Sequence, residues 1–438
     1  MEDRICYSYD ATKQRYLPDV VIRPKTAEEI SRIIKVANRE RIPVVPRGAG
    51  TGFVGGSLAV EGGISLVLTR MNRIVEIDTK NFIAMVEPGV VTYRLQEEVG
   101  RLGLFYPPDP ASLKISTLGG NAAMCSGGPR GVKYGVTKDY VLGLEVVLPT
   151  GEILNTGVRT MKGVVGYDLT KLIIGSEGTL GVITRITLKL IPLPESIRTL
   201  LAVFPQIDNA SATVIDIIGC RIIPSTLEFM DQTTVRCVED FLKMGLPTEA
   251  EALLLIEVDG DKVVADRDID RVAAICHKGG ASEIRIAGDE KDKEYLWTAR
   301  RAISPALGRL NKIKINEDIT VPRSKVPDII RKVRDIGKRY NLTIANFGHA
   351  GDGNIHVNIM ISKDDSDEME RAEKVVKEIF RATLELGGTL SGEHGVGITK
   401  RPFIGEEIEP AGIEVMRRIK GVLDPNNIMN PGKIIPKS

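Results

Sequence analysis

The chain has 438 residues, too many for one compact core, so two domains are the default. A hydrophobic content of 42% and a charged content of 27% are those of an ordinary globular protein, and a formal charge of +1 gives no electrostatic case for nucleic acid. No apolar run approaches the ~20 residues that span a bilayer. The N-terminal Met1-Glu2-Asp3-Arg4 carries acids and no leader-like apolar stretch. Five scattered cysteines (Cys6, Cys125, Cys220, Cys237, Cys276) lack the spacing of a zinc ribbon, an iron–sulfur cluster or a disulfide framework. The expectation is a reduced cytoplasmic protein, with peripheral membrane attachment left open.

Val20-Val21-Ile22 reads as a short strand. Thr26-Ala27-Glu28-Glu29 is a capping box, in which Thr26 bonds the Glu29 backbone while Glu29 reaches back, and Ile30, Ile33, Ile34 and Ala37 follow on one helical face. Pro43-Val44-Val45-Pro46 is a second strand leading into the glycine loop 47–57. Gly50, Gly52 and Gly55 match the dinucleotide fingerprint G-x-G-x-x-G, which requires a helix to follow. Here another glycine pair and the strand Ile64-Ser65-Leu66-Val67-Leu68 follow, so a Rossmann reading fails. What survives is a loop whose backbone N–H groups can nest a phosphate. A helix is expected around Thr92 to Leu102, and Pro107-Pro108-Asp109-Pro110 ends that region. Residues 117–129 are small enough for a flat ring to lie against main chain. Strands at 141–148 and 180–190 complete an α+β domain ending near Pro192-Leu193-Pro194. Beyond 198, a strand at 253–258 and helices at 261–279, 324–340 and 364–387 mark a second domain.

Three of the four histidines fall in two short motifs, Phe347-Gly348-His349-Ala350-Gly351-Asp352-Gly353-Asn354-Ile355-His356-Val357-Asn358 and Ser391-Gly392-Glu393-His394-Gly395-Val396-Gly397. Two imidazoles and one carboxylate make a three-ligand set with an open position, as in catalytic zinc sites. A further imidazole beside the carboxylate is left to move a proton. The alternative is that each histidine satisfies a local loop hydrogen bond.

Together these motifs resemble the flavin-dependent 2-hydroxyacid dehydrogenases of the vanillyl-alcohol-oxidase type. That group has a PCMH-type FAD-binding domain and includes D-lactate dehydrogenase, the glycolate oxidase catalytic subunit and D-2-hydroxyglutarate dehydrogenase. The likeness runs from about Pro18 to Lys433. It is carried by 46–52, 107–110, Gly119-Gly120-Asn121, 134–141, 175–181, 348–358, 391–397 and Asn430-Pro431-Gly432-Lys433. It implies an α+β fold: an FAD-binding domain over 1–196, an α+β substrate and metal cap domain with an antiparallel sheet over 197–400, and a segment 401–438 returning to the flavin. The implied FAD contacts are Pro46, Arg47, Gly48, Ala49, Gly50, Thr51, Gly52, Gly56, Ser57, Pro108, Asp109, Thr117, Gly120, Asn121, Ala123, Gly127, Gly128, Tyr134, Gly135, Thr137, Val141, Glu177, Gly178, Gly181, Ile183 and Asn430. Relatives with covalent flavin use a histidine of the FAD domain. None precedes His277 here, so FAD is expected to be non-covalent. Cys125 replaces a common asparagine and reads as a packed thiol.

The same resemblance makes His349, His356 and Glu393 ligands of one divalent ion, zinc by preference, with manganese or iron as alternatives. His394 becomes the general base that takes the substrate hydroxyl proton, and Asn358 a substrate contact. Trp297-Thr298-Ala299-Arg300 nominates Arg300 as a bidentate clamp for the substrate carboxylate, the alternative being a solvated helix arginine. Ser304 lies where a hydroxyl meets substrate in D-2-hydroxyglutarate dehydrogenase. That enzyme's substrate lysine falls at Asn316, a mismatch that favours a small monocarboxylate such as D-lactate or glycolate; Lys314 is close enough to substitute, which keeps D-2-hydroxyglutarate as the alternative. Electrons must leave through an acceptor: an iron–sulfur subunit, an electron-transferring flavoprotein or a quinone. A homodimer is also open. A non-redox transferase of the same fold, alkyldihydroxyacetonephosphate synthase, carries a histidine run where this chain has Gly392-Glu393-His394.

Overall fold

The computed structural model describes residues 2–309, 312–362 and 365–436. The chain divides into two compact units. The first comprises Met1–Gly127, Val136–Leu193 and Glu393–Ser438; the second comprises Gly128–Gly135 and Pro194–Gly392. Among the described residues no helix is long and apolar enough to cross a membrane.

In the first unit, strands Val20–Ile22 and Val44–Arg47 flank Ile64–Val67 in a parallel three-stranded sheet. Thr26 caps the helix Ala27–Glu40 by accepting the Glu29 N–H at 3.2 Å. The reciprocal half of the box differs from expectation, since the Glu29 carboxylate takes the N–H of Lys25, at 2.7 Å. This helix buries Ile30, Ile34 and Ala37 against Val44, Leu66, Val147, Val182, Ile428 and Met429. Full burial of each isoleucine is worth about 1.5–3 kcal/mol. The C-terminal segment joins the same core, with Val44 N–H donating to Ile428 O at 2.7 Å and Asn430 N–H to Val44 O at 2.8 Å. The unit also holds a two-stranded antiparallel pair, Leu104–Phe105 with Ile191–Pro192, and a five-stranded antiparallel sheet in the order Ile74–Asp78, Ile83–Val86, Val182–Lys189, Val141–Val147, Ile153–Gly157.

The second unit is built on a seven-stranded antiparallel sheet, ordered Glu283–Ile286, Ser196–Phe204, Ala252–Gly260, Thr226–Asp231, Thr343–His349, Asn354–Ser362, Lys312–Thr320. The expected helices occur at Lys262–Lys278, Val326–Arg339 and Ser366–Glu385. One sheet face carries Leu201, Val203, Met230, Leu253, Leu255, Ala345, Phe347 and Met360, packed against Leu296, Ala299, Ile303 and Leu307. Alternation along each strand puts Glu228, His349, His356, Asn358, Asn316 and Asp318 on that same face. An apolar core therefore ends in a strip of buried polar groups.

The partition differs from the 1–196, 197–400 and 401–438 expected from sequence. Gly128–Gly135 groups with the second unit, where Lys133 Nζ pairs with Asp259 and the Tyr134 hydroxyl donates to Asp259 Oδ2 at 2.8 Å. Glu393 onward groups with the first, where the Val396 and Gly397 N–H groups donate to the Glu177 carboxylate at 2.6 and 2.8 Å and the Ile398 N–H to Val54 O at 2.8 Å.

Candidate active site

The first unit contains a cleft walled by main chain and small side chains. Seventeen of the expected FAD contacts line it: Pro46, Arg47, Gly48, Ala49, Gly50, Thr51, Gly52, Gly56, Ser57, Thr117, Gly120, Asn121, Ala123, Glu177, Gly178, Gly181 and Ile183. Phe53, Pro88, Ser112, Ser116, Met124, Ser126, Glu393 and His394 line it too. Backbone N–H groups of a glycine loop beside an apolar slot suit a pyrophosphate and a flat ring, so the residues present fit FAD.

Other expected contacts lie elsewhere. Pro108 and Asp109 give way to Pro110, Ala111 and Ser112 on the wall, and Thr137 and Val141 are not among the lining residues. Thr137 donates its hydroxyl to Ser126 O at 2.6 Å, which fixes the lining loop from behind. Gly128, Tyr134 and Gly135 belong to the second unit. Gly127 makes room, because a Cβ there would stand 2.8 Å from Glu393 Oε2. Asn430 is buried and braces the cleft loops, its amide donating to Gly56 O at 2.8 Å and Glu177 O at 2.7 Å. Arg47 is also largely spent on bracing, donating to Tyr9 O at 2.7 Å and Ser57 Oγ at 3.2 Å.

Glu177 is a further brace that sequence reasoning assigned only to the flavin. Burial pushes its carboxyl up to about 7, against the Val396 and Gly397 N–H donors that lower it. By holding those two amides it fixes the loop that carries His394, whose ring stacks on Phe53 with centroids 5.0 Å apart. Cys125, partly buried, caps the helix Leu118–Met124 in the left-handed region and is not among the residues lining the cleft. Burial raises its thiol pKa. No histidine precedes His277, yet His394 lines this cleft.

In the second unit His349 ends one strand and His356 lies in the next, joined by a turn at Ala350-Gly351-Asp352-Gly353. Gly353 adopts φ +86°, and a Cβ there would lie 2.0 Å from Val321 O. The tight turn brings the two Nε2 atoms to 3.4 Å, with the rings edge to face. On the far side of each ring stands a carboxylate: Glu228 Oε1 is 2.5 Å from His349 Nδ1, and Asp318 Oδ1 is 3.8 Å from His356 Nδ1. Imidazoles turned Nε2 to Nε2, each with Nδ1 towards an acid, fit a divalent ion that shares the two Nε2 lone pairs.

Arg300 is not a solvated helix residue. It is buried, donates from Nε to Glu228 Oε2 at 2.5 Å, and lies over the Phe347 ring at 4.9 Å. Burial raises the Glu228 carboxyl, but Arg300 and His349 together outweigh it and hold the group below its ordinary range. Asn358, expected to touch substrate, is fully buried with its amide engaged. It donates to Ala345 O at 3.2 Å and His356 O at 3.1 Å, and accepts from Asn316 at 2.6 Å. Ser304 is exposed and accepts from Lys314 Nζ at 3.2 Å. Glu228 and Asp318 were missed by sequence reasoning. Their signal was an acid at an inward strand position, in Leu227-Glu228-Phe229-Met230 and in Asp318-Ile319.

A family model described as FAD linked oxidases, C-terminal domain, matches residues 193–434, and one described as FAD binding domain matches 18–157. The chain belongs to the FAD-linked oxidase family. Over 435 residues it is 50% identical to the glycolate oxidase subunit GlcD of Bacillus subtilis (strain 168), spanning 99% of this chain and 93% of that one. D-lactate dehydrogenase of Anaerostipes hadrus is 37% identical over 431 residues, 96% of this chain and 90% of that protein. An alkyldihydroxyacetonephosphate synthase structure matches with a TM-score of 0.77 at 21% identity, over 98% of this chain and 80% of that one, a likeness of fold alone. This FAD-linked oxidoreductase thus has an FAD-binding domain and a C-terminal domain with a seven-stranded antiparallel sheet.

Proposed function

We propose that the enzyme oxidises a small D-2-hydroxy acid, D-lactate or glycolate, to the 2-oxo acid with the help of a divalent ion. The observation that carries this reading is the buried histidine pair, Nε2 to Nε2, on the sheet face against which the helix bearing the carboxylate-oriented Arg300 packs. The names of the relatives, glycolate oxidase subunit and D-lactate dehydrogenase, support the substrate class. Bound FAD supplies a two-electron acceptor, and a divalent ion held by His349, His356 and Glu393 supplies a Lewis acid that acidifies the substrate hydroxyl. Arg300 binds and orients the substrate carboxylate. His394 takes the hydroxyl proton, its ring fixed by the Phe53 stack and the Glu177 brace. Asn358 and Asn316 seat the His356 strand. The word subunit in the relative's name supports a protein electron acceptor as partner.

FAD is held without a covalent bond in this reading. Acid precipitation of the yellow protein is expected to leave the flavin in the supernatant. Flavin in the pellet would reverse the assignment and turn attention to His394 and Cys125.

D-Lactate is expected to be the better substrate than D-2-hydroxyglutarate, because Asn316 offers a distal carboxylate no charge. Loss of a charged hydrogen bond costs ~1.5–3 kcal/mol, about 10- to 150-fold in kcat/KM. One observation favours the second reading, D-2-hydroxyglutarate: Lys314 shares the sheet face with Asn316 and reaches Ser304. Equal or higher kcat/KM for hydroxyglutarate, lost in Lys314→Met, would establish it.

A further inference from the structure

We infer that Glu228 is a positioning residue that sets the metal ligand His349 and the substrate clamp Arg300 with one carboxylate, so that metal affinity and substrate binding are coupled. The inference rests on the reading of those two residues given above. Glu228 is fully buried, in the strand Thr226–Asp231, directly opposite His349 in the sheet register. Its oxygens are divided: Oε1 meets His349 Nδ1 at 2.5 Å and Oε2 meets Arg300 Nε at 2.5 Å.

Each contact has a directional consequence. A carboxylate at Nδ1 requires the proton on that nitrogen, which leaves the Nε2 lone pair pointing at His356. A carboxylate at Nε of Arg300 fixes the guanidinium edge, and the Phe347 ring beneath it fixes the plane. The terminal nitrogens are thereby aimed without being consumed. Neither effect requires Glu228 to touch substrate or metal. The competing account is a buried ion pair that only stabilises the fold. It would lower the melting temperature and leave the ligand affinities of the folded protein alone.

The FAD-loaded enzyme is prepared as wild type, Glu228→Gln, Arg300→Met and the double variant Glu228→Gln/Arg300→Met. Zn2+ dissociation constants are measured by chelator competition well below each melting temperature, and KM and kcat with D-lactate. Glu228→Gln is expected to weaken Zn2+ binding by about 10- to 100-fold and to raise KM more than it lowers kcat. The double variant removes the guanidinium that Gln would leave without its carboxylate, so it keeps the test available if the single variant does not fold. It should bind Zn2+ about 10- to 100-fold more weakly than Arg300→Met alone. Unchanged Zn2+ affinity in both comparisons, with only a lower melting temperature, would overturn the coupling. A wild-type enzyme that binds no Zn2+ but turns over at full rate would instead overturn the metal-assisted reading on which the inference stands.

Discussion

Chelation of the divalent ion is expected to abolish anaerobic flavin bleaching by D-lactate while the protein stays yellow. The FAD cleft is braced by Glu177, Asn430 and Arg47, none of which belongs to the ligand set, so its loops outlast the metal. Adding Zn2+ back should restore bleaching; Mn2+ or Fe2+ restoring it better would change the metal and keep the site. His356→Ala should lose metal and activity together, because it removes one of two nitrogens that stand 3.4 Å apart. His394→Ala should retain the metal and the substrate and lose kcat by roughly 10²–10⁴-fold, the range for a missing general base. The stack on Phe53 makes the loss specific, since the ring is held at the cleft before substrate arrives. Full-speed flavin reduction by a metal-free preparation would reject the ligand assignment. Loss of metal in His394→Ala would make that residue a ligand and leave the base to be found.

How much of this was legible depends on the range of the interactions involved. Local signals were reliable: the Thr26 cap, the Ile30, Ile34 and Ala37 face, and the glycine loop that could not be a Rossmann turn are all properties of a few adjacent residues. Helices expected at 261–279, 324–340 and 364–387 lie within two residues of their observed ends for the same reason. Long-range pairings were invisible. Nothing near Lys133 and Tyr134 announces Asp259, yet both side chains meet that carboxylate in the second unit. Likewise Glu177 and the Val396 and Gly397 amides are over two hundred residues apart, yet they meet within the FAD-binding unit, to which Glu393 and His394 belong. The resemblance implies that Asn430 reaches the flavin; what it could not announce is that the Asn430 Nδ2 also donates to two carbonyls of the cleft loops. The histidines proposed here as metal ligands stood out in the sequence because glycines surround them. Glu228 and Asp318 were obscure because each looks like a single charge in an apolar strand until the register is known.

Arg300→Met is the second large loss expected, and it separates a clamp from an ordinary buried arginine. Arg301, one residue on, pairs with Glu294 at 2.8 Å with its side chain 49% exposed, and its removal should change little. Arg300 differs in having a side chain only 9% exposed and a fully buried partner. Truncating one member of such a charge pair towards a carboxylate ligand costs about 2–5 kcal/mol, roughly 30- to 5,000-fold in kcat/KM. If the arginine holds the substrate carboxylate equally in ground and transition states, the loss falls on KM with kcat nearly intact. A loss shared by kcat would mean that the guanidinium also places C2 for reaction. Arg300→Lys should recover little, because an ammonium cannot meet Glu228 through Nε and still present two parallel N–H groups to a second carboxylate. Glycolate and D-lactate share that carboxylate and differ by one methyl, so both should suffer the same factor. A variant whose KM for either acid stays at the wild-type value would remove Arg300 from the substrate site and leave it as a structural partner of Glu228.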